Sequence, residues 1–183
     1  MAPGANLKAW DFGNDISEMT LAAPDLLVSN HSYGSVAGWR FNSARTTTTK
    51  WEWWGDTTLS ASQDFKFGLY DVSASSWDRI ASASPYYLIV KSAGNNHGGG
   101  GPPAGEGYHL VQHGAVLSTT PRDRQFEYDQ IPTYGTAKNI LSVGAISSIS
   151  NGYSRPTDVR MASFSSWGPT DDGRIKPDIV GVG

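Results

Sequence analysis

Three short runs, met in one order along the chain, restrict what it can fold into: YLIVKSAGNN at Tyr87–Asn96, AKNILSVGA at Ala137–Ala145 and FSSWGPTDDGRIKPDIVGVG at Phe164–Gly183. Each couples an apolar, β-branched stretch to a turn rich in Gly, Asn or Pro. Buried strands of a parallel sheet read this way, because both of their faces are covered and polar alternation is lost.

Elsewhere the spacing is helical. Asp15–Ala23 puts Ile16, Met19 and Ala23 on one face and is stopped by Pro24; Ser75–Ser84 turns Trp77, Ile80 and Ala81 inward and ends at Pro85. Leu7–Phe12, Leu26–Asn30, Leu88–Val90, Ile140–Ala145, Met161–Ser165 and Ile179–Val182 read as strands. Strands alternating with helical segments predict an α/β fold with a parallel sheet. His109–Ser118 fits either a helix or a strand. From Ser35 to about Phe65 periodicity is lost around RTTTTKWEWWGD, and so long a segment inside a compact domain reads as a surface insertion. Gly98–Gly107 (GGGGPPAGEG) is turn chemistry whose backbone is not expected to pack into an element.

A chain of 183 residues with 38% hydrophobic content suffices for one domain with a core. A net charge of −3 without a Lys/Arg cluster argues against a nucleic-acid partner. No apolar stretch approaches the ~20 residues that span a bilayer, so no membrane partner is expected. These residues carry neither the basic nor the apolar region of a signal peptide. Zero cysteines exclude disulfides and thiolate metal sites.

Taken in order, the three runs resemble the central part of the subtilisin-like serine peptidases, the subtilase family. The resemblance extends from MAPGANL through IVGVG. It is densest over Phe164–Gly183, thinner at KSAGNN and VSNHSYG, and absent between Gly38 and Lys66; GVG also stands where the family usually has A-P-G. It implies a three-layer subtilisin-like α/β fold with a mostly parallel sheet, a peptide or protein substrate, secretion, no organic cofactor, and the calcium binding frequent in the intact family domain. It reads residues 1–183 as the central part of a single peptidase domain, with a Trp-rich insertion at about 35–66 and the Gly/Pro-rich loop at 98–107. The family's HGTHVAG-type and GTSMA-type runs are not among these residues, nor is its aspartate motif, so the chain alone is expected to be inert. In the family the aspartate strand lies between those matching Leu7–Phe12 and Leu26–Asn30. A chain without it is expected to self-associate or to pair those two segments directly.

The same resemblance assigns the site. Asn95, at the turn after the first run, matches the oxyanion-hole asparagine, a side-chain N–H donor that brings no charge of its own. Ser32, Tyr33 and Gly34 match the S-x-G segment that lies along the substrate as an added strand, with Tyr33 shaping specificity. Ser92, Ala93 and Gly94 match the facing wall of the primary pocket, where small residues leave room for a side chain. His31 and Ser32 are strand neighbours pointing to opposite faces, so His31 reads as structural. His97, His109 and His113 lack metal-ligand spacing, and Asp171-Asp172-Gly173 lacks the alternating ligands of a calcium loop, so no metal site is assigned. Lys176-Pro177-Asp178 reads as a structural ion pair at a strand entry. Two other classes compete: a non-catalytic pseudoprotease or binding module on the same fold, and a glycan-binding module stacking sugars on Trp51, Trp53 and Trp54.

Overall fold

The computed structural model describes residues 3–125 and 127–183; Met1 and Ala2, which open the MAPGANL resemblance, lie outside them. Two helices and eight strands follow in chain order: α1 (Asp15–Ala22), β1 (Val28–His31), β2 (Trp39–Phe41), β3 (Trp51–Trp53), α2 (Val72–Ala83), β4 (Leu88–Ser92), β5 (Tyr108–Leu110), β6 (Val116–Ser118), β7 (Leu141–Ile146) and β8 (Ile179–Val182). The main sheet has the order β1-β4-β7-β8 and is parallel throughout, which fits the α/β reading.

One face of this sheet carries both helices. Met19 and Ala23 pack with Ala74, Trp77 and Ile80 against Tyr87 and Ile89 of the β4 segment and Ala137 and Ile140 before β7. Trp77 is fully buried, with His31 and Tyr134 against its ring at 4.7 and 4.8 Å between centroids. The Asp71 carboxylate caps α2 by accepting from the Ala74 N–H at 2.9 Å. Strand side chains alternate, so the residues between these core positions face the other way. There Val28, Leu88 and Ile179 stay 58%, 44% and 50% exposed: among the described residues nothing covers this apolar face.

The second sheet, β2-β3-β5-β6, is built from the segment read as a surface insertion, together with His109–Ser118. Trp39 stands opposite Trp53 in the β2–β3 register, and Tyr108 closes on Trp39 at 4.7 Å. Trp39, Trp53 and Tyr108 form a separate aromatic core. The glycine-rich loop forms no helix or strand but lies against this core. Gly101, at φ +65°, lies so close to the Trp39 ring that a Cβ there would come within 2.5 Å of it.

Other expectations also need correction. Leu7–Phe12 is not a strand; Leu7 and Phe12 are 94% and 79% exposed, and the segment does not pair with β1. Among the described residues only β4 lies beside β1, whose other edge is free. Met161–Ser165 is likewise no strand, contributing a single bridge from Met161 to Ile146. Short β-prone stretches become strands only where a partner offers a ladder.

Candidate active site

β4 ends at the carboxyl edge of the main sheet, where open α/β sheets place ligands. The chain leaves it through Ala93 and Gly94. Gly94 has φ +105°, and a Cβ there would meet Pro132, Ser166 and Asn96 at 3.1–3.2 Å, so glycine is required for both conformation and space. The turn is held from outside: the Ser166 N–H donates to the Gly94 carbonyl at 2.9 Å, and the Ser166 Oγ accepts from the Asn96 N–H at 2.9 Å. Its neighbour Ser165 accepts from the Ala145 N–H at 2.9 Å and ties the same segment to β7.

The two asparagines of the turn are held differently. The Asn96 amide donates to the Ala37 carbonyl at 3.0 Å, which anchors the turn to the second sheet's entry. The exposed Asn95 makes no hydrogen bond to any described residue, and it lines a cavity of about 230 Å³. That cavity lies on the helix-free face, where Asn30, Ser32, Val90 and Ser92 alternate with the core-facing residues. Ala93, Gly94, Val143, Gly144, Ala145 and Gly181–Gly183 complete its wall. Of the residues singled out from sequence, Ser32, Ser92, Ala93, Gly94 and Asn95 thus meet around one space.

Tyr33 and Gly34 are not among its lining residues. The Tyr33 side chain is turned toward α1, where its hydroxyl donates to Asp15 Oδ2 at 3.2 Å. It continues a relay whose direction the geometry fixes. The Tyr33 proton goes to Asp15, so His31 Nδ1–H must donate to Tyr33 Oη at 2.9 Å; the Nε2 of the neutral ring then accepts from Ser29 Oγ at 2.7 Å, and Ser29 Oγ accepts in turn from the Tyr87 hydroxyl at 2.7 Å. Burial pushes the His31 pKa below its ordinary value, only partly countered by Asp15, and the nearby Lys91 lowers it further. His31 is a structural histidine, as expected. Gly34 stands at the strand edge, where a Cβ would lie 3.9 Å from Lys91 Nζ.

The remaining polar groups serve structure. Lys176 and Asp178 pair at 2.7 Å, and Asp178 also accepts from the Ser142 N–H at 2.7 Å, which fixes β8 against β7. Asp172 bonds to Arg174, which holds its carboxyl down at about 2. His97 reaches the Ser163 carbonyl, His109 the Ala115 carbonyl and His113 the Thr57 hydroxyl, three separate places. Among the described residues no three His, Cys, Asp or Glu side chains converge as metal ligands. No helix there is long and apolar enough to cross a membrane. Sequence reasoning missed Ser165 and Ser166 as supports of the turn; their place in the densest run of the resemblance was the available signal.

Comparison with known proteins supplies two matches. The family model Peptidase_S8, described as the subtilase family, matches residues 5–183. A curated protein of Aquifex aeolicus (strain VF5), "Uncharacterized protein aq_aa18", is 46% identical over 56 residues, a match covering 27% of this chain and 23% of that protein.

Proposed function

The chain belongs to the subtilase family, and from that premise we propose that its residues supply the oxyanion hole and substrate cleft of a secreted serine endopeptidase. A base-activated serine attacks the scissile carbonyl, and the carbonyl oxygen gains negative charge. The Asn95 side-chain N–H donates to that oxygen. A preorganised donor of this kind is worth ~3–4 kcal/mol of barrier. The peptide lies as an added strand between Ser32–Gly34 and Ser92–Gly94, and the cavity receives one of its side chains.

The observation that carries this reading is the contrast within the turn. Asn96 spends its amide on Ala37, whereas Asn95 has no hydrogen-bond partner among the described residues and faces the cavity. An asparagine kept only for turn chemistry would use its side chain to bond nearby backbone. The aspartate, histidine and serine of the triad are not found as motifs among these residues, so the 183-residue chain alone is inert. The reading adds no organic cofactor, nucleic acid or membrane partner; calcium enters only through the family's habits. The test is to replace Asn95 by Ala in the intact peptidase and follow peptide hydrolysis. A large fall in kcat with KM nearly constant supports the assignment, and an unchanged kcat removes it.

A further inference from the structure

Lys91 is a buried cation with no anion beside it among the described residues. It lies on β4 and is 3% exposed. Its Nζ donates to two neutral acceptors, the Ser92 carbonyl and the Ser92 Oγ, at 2.8 Å each. Lys66, Lys138 and Lys176 each have a carboxylate within 4.0 Å, whereas among the described residues Lys91 has none. The titratable groups facing it are few. His31 stands opposite in the β1 register and is neutral at pH 7, while Asp15 on α1 is engaged by Tyr33. Removing an ammonium from water without a compensating anion costs several kcal/mol. Burial accordingly pushes its pKa down to about 8.

The position of this charge gives it a use. The ammonium reaches the carboxyl edge of the sheet, beside Gly34 and behind Ser92, whose side chain lines the cavity. Because Nζ donates to the Ser92 Oγ, the hydroxyl proton is left to point elsewhere. Its one acceptor among the described residues is the His31 carbonyl at 3.5 Å, at the limit of a hydrogen bond. The cavity wall therefore offers an O–H donor polarised by the buried positive charge behind it. An incoming carboxylate would satisfy both the hydroxyl and the unbalanced cation.

We propose that Lys91, acting through Ser92, selects an acidic side chain, Asp or Glu, of the peptide held in this cavity. The proposal rests on the peptide-cleft reading above and adds the substrate class to it. Lys91 is here a specificity residue and takes no part in the chemical step.

The experiment uses the intact peptidase and two peptides that differ only in Glu or Gln at the residue preceding the scissile bond. At pH 7 the Glu peptide is cleaved with kcat/KM at least about tenfold higher, since a site built to pair a buried charge discriminates strongly against the neutral isostere. Lys91→Met brings the ratio to 1 or below. In the wild type the ratio falls toward 1 as the pH passes about 8, a reading independent of whether the variant folds well. A wild-type ratio near 1, or one that neither Lys91→Met nor pH alters, overturns the proposal while leaving the peptidase reading intact. If neither peptide is cleaved, the peptidase reading fails, and calorimetric titration of both peptides into the 183-residue chain decides the inference by itself. Tighter binding of the Glu peptide, lost in Lys91→Met, upholds it, and equal binding ends it.

Discussion

Ser166 clamps Gly94: its backbone N–H reaches the Gly94 carbonyl at 2.9 Å, while its fully buried hydroxyl accepts from the backbone N–H of Asn96 at 2.9 Å. A residue 70 positions downstream thus fixes the two peptide groups that flank Asn95. Aim, more than presence, decides what a donor is worth to a transition state.

Ser166→Ala should therefore act in two ways. It leaves the Asn96 N–H without its acceptor, a loss of about 1–3 kcal/mol of stability measurable by urea denaturation. In the intact peptidase it should also lower kcat more than it raises KM, because the misaimed amide acts on charge that develops late. A stability loss with kcat untouched would reduce Ser166 to a packing residue.

Lys91 makes stability depend on pH in the alkaline range. Its folded pKa of about 8 lies below the ordinary 10.5, so between these values the unfolded chain holds a proton that the folded chain has released. Stability should rise with pH across that window, by roughly 3 kcal/mol in total, and the burial penalty is fully present below pH 8. Lys91→Met should raise the melting temperature at pH 7 and flatten the alkaline limb. His31, also lowered, acts in the acid range: stability falls as pH drops below its ordinary 6.5. A melting temperature that is level from pH 8 to 10.5 would contradict the account of Lys91.

How much of this was legible in the sequence depends on where each element's partners lie. Ile179–Val182 coincides with β8, and Leu88–Val90 and Ile140–Ala145 fall on β4 and β7, because each is a short apolar, β-branched run bounded by turn residues. β2 and β3 have three residues each, too few for a period, and their stability comes from cross-strand pairs such as Trp39 opposite Trp53. Leu7–Phe12 has strand composition but no neighbour to pair with. Among the cavity-lining residues, Ser32 and Ser92–Asn95 could be found from local motifs at strand ends. The Ser166 clamp and the direction of the Tyr33 side chain could not, since both depend on contacts 18 to 70 residues away.

The free edge of β1 and the bare apolar face beyond it predict the solution behaviour of the 183-residue chain. Unpaired strand groups and exposed Val28, Leu88 and Ile179 favour pairing with a second copy. Light scattering should report a dimer or larger species, and Val28→Lys, placing a charge on that edge, should shift it toward monomer. A monomer at high protein concentration would count against self-association.

The same 183 residues should neither hydrolyse peptides nor react with serine-directed phosphonates, since a cleft and an oxyanion donor without nucleophile and base give at most residual turnover. Stoichiometric phosphonylation of any serine, mapped by mass spectrometry, would mean that a competent nucleophile exists within them.

The most direct measurement of the central claim is the steady-state kinetics of Asn95→Ala in the intact peptidase, alongside Asn96→Ala as its neighbour control. The account predicts that Asn95→Ala lowers kcat by ~100- to 1000-fold with KM nearly unchanged. Asn96→Ala should mainly lower stability, through loss of the bond to Ala37. Equal and small effects of the two substitutions on kcat would contradict it, and would leave the turn after β4 a structural corner with no part in stabilising the oxyanion.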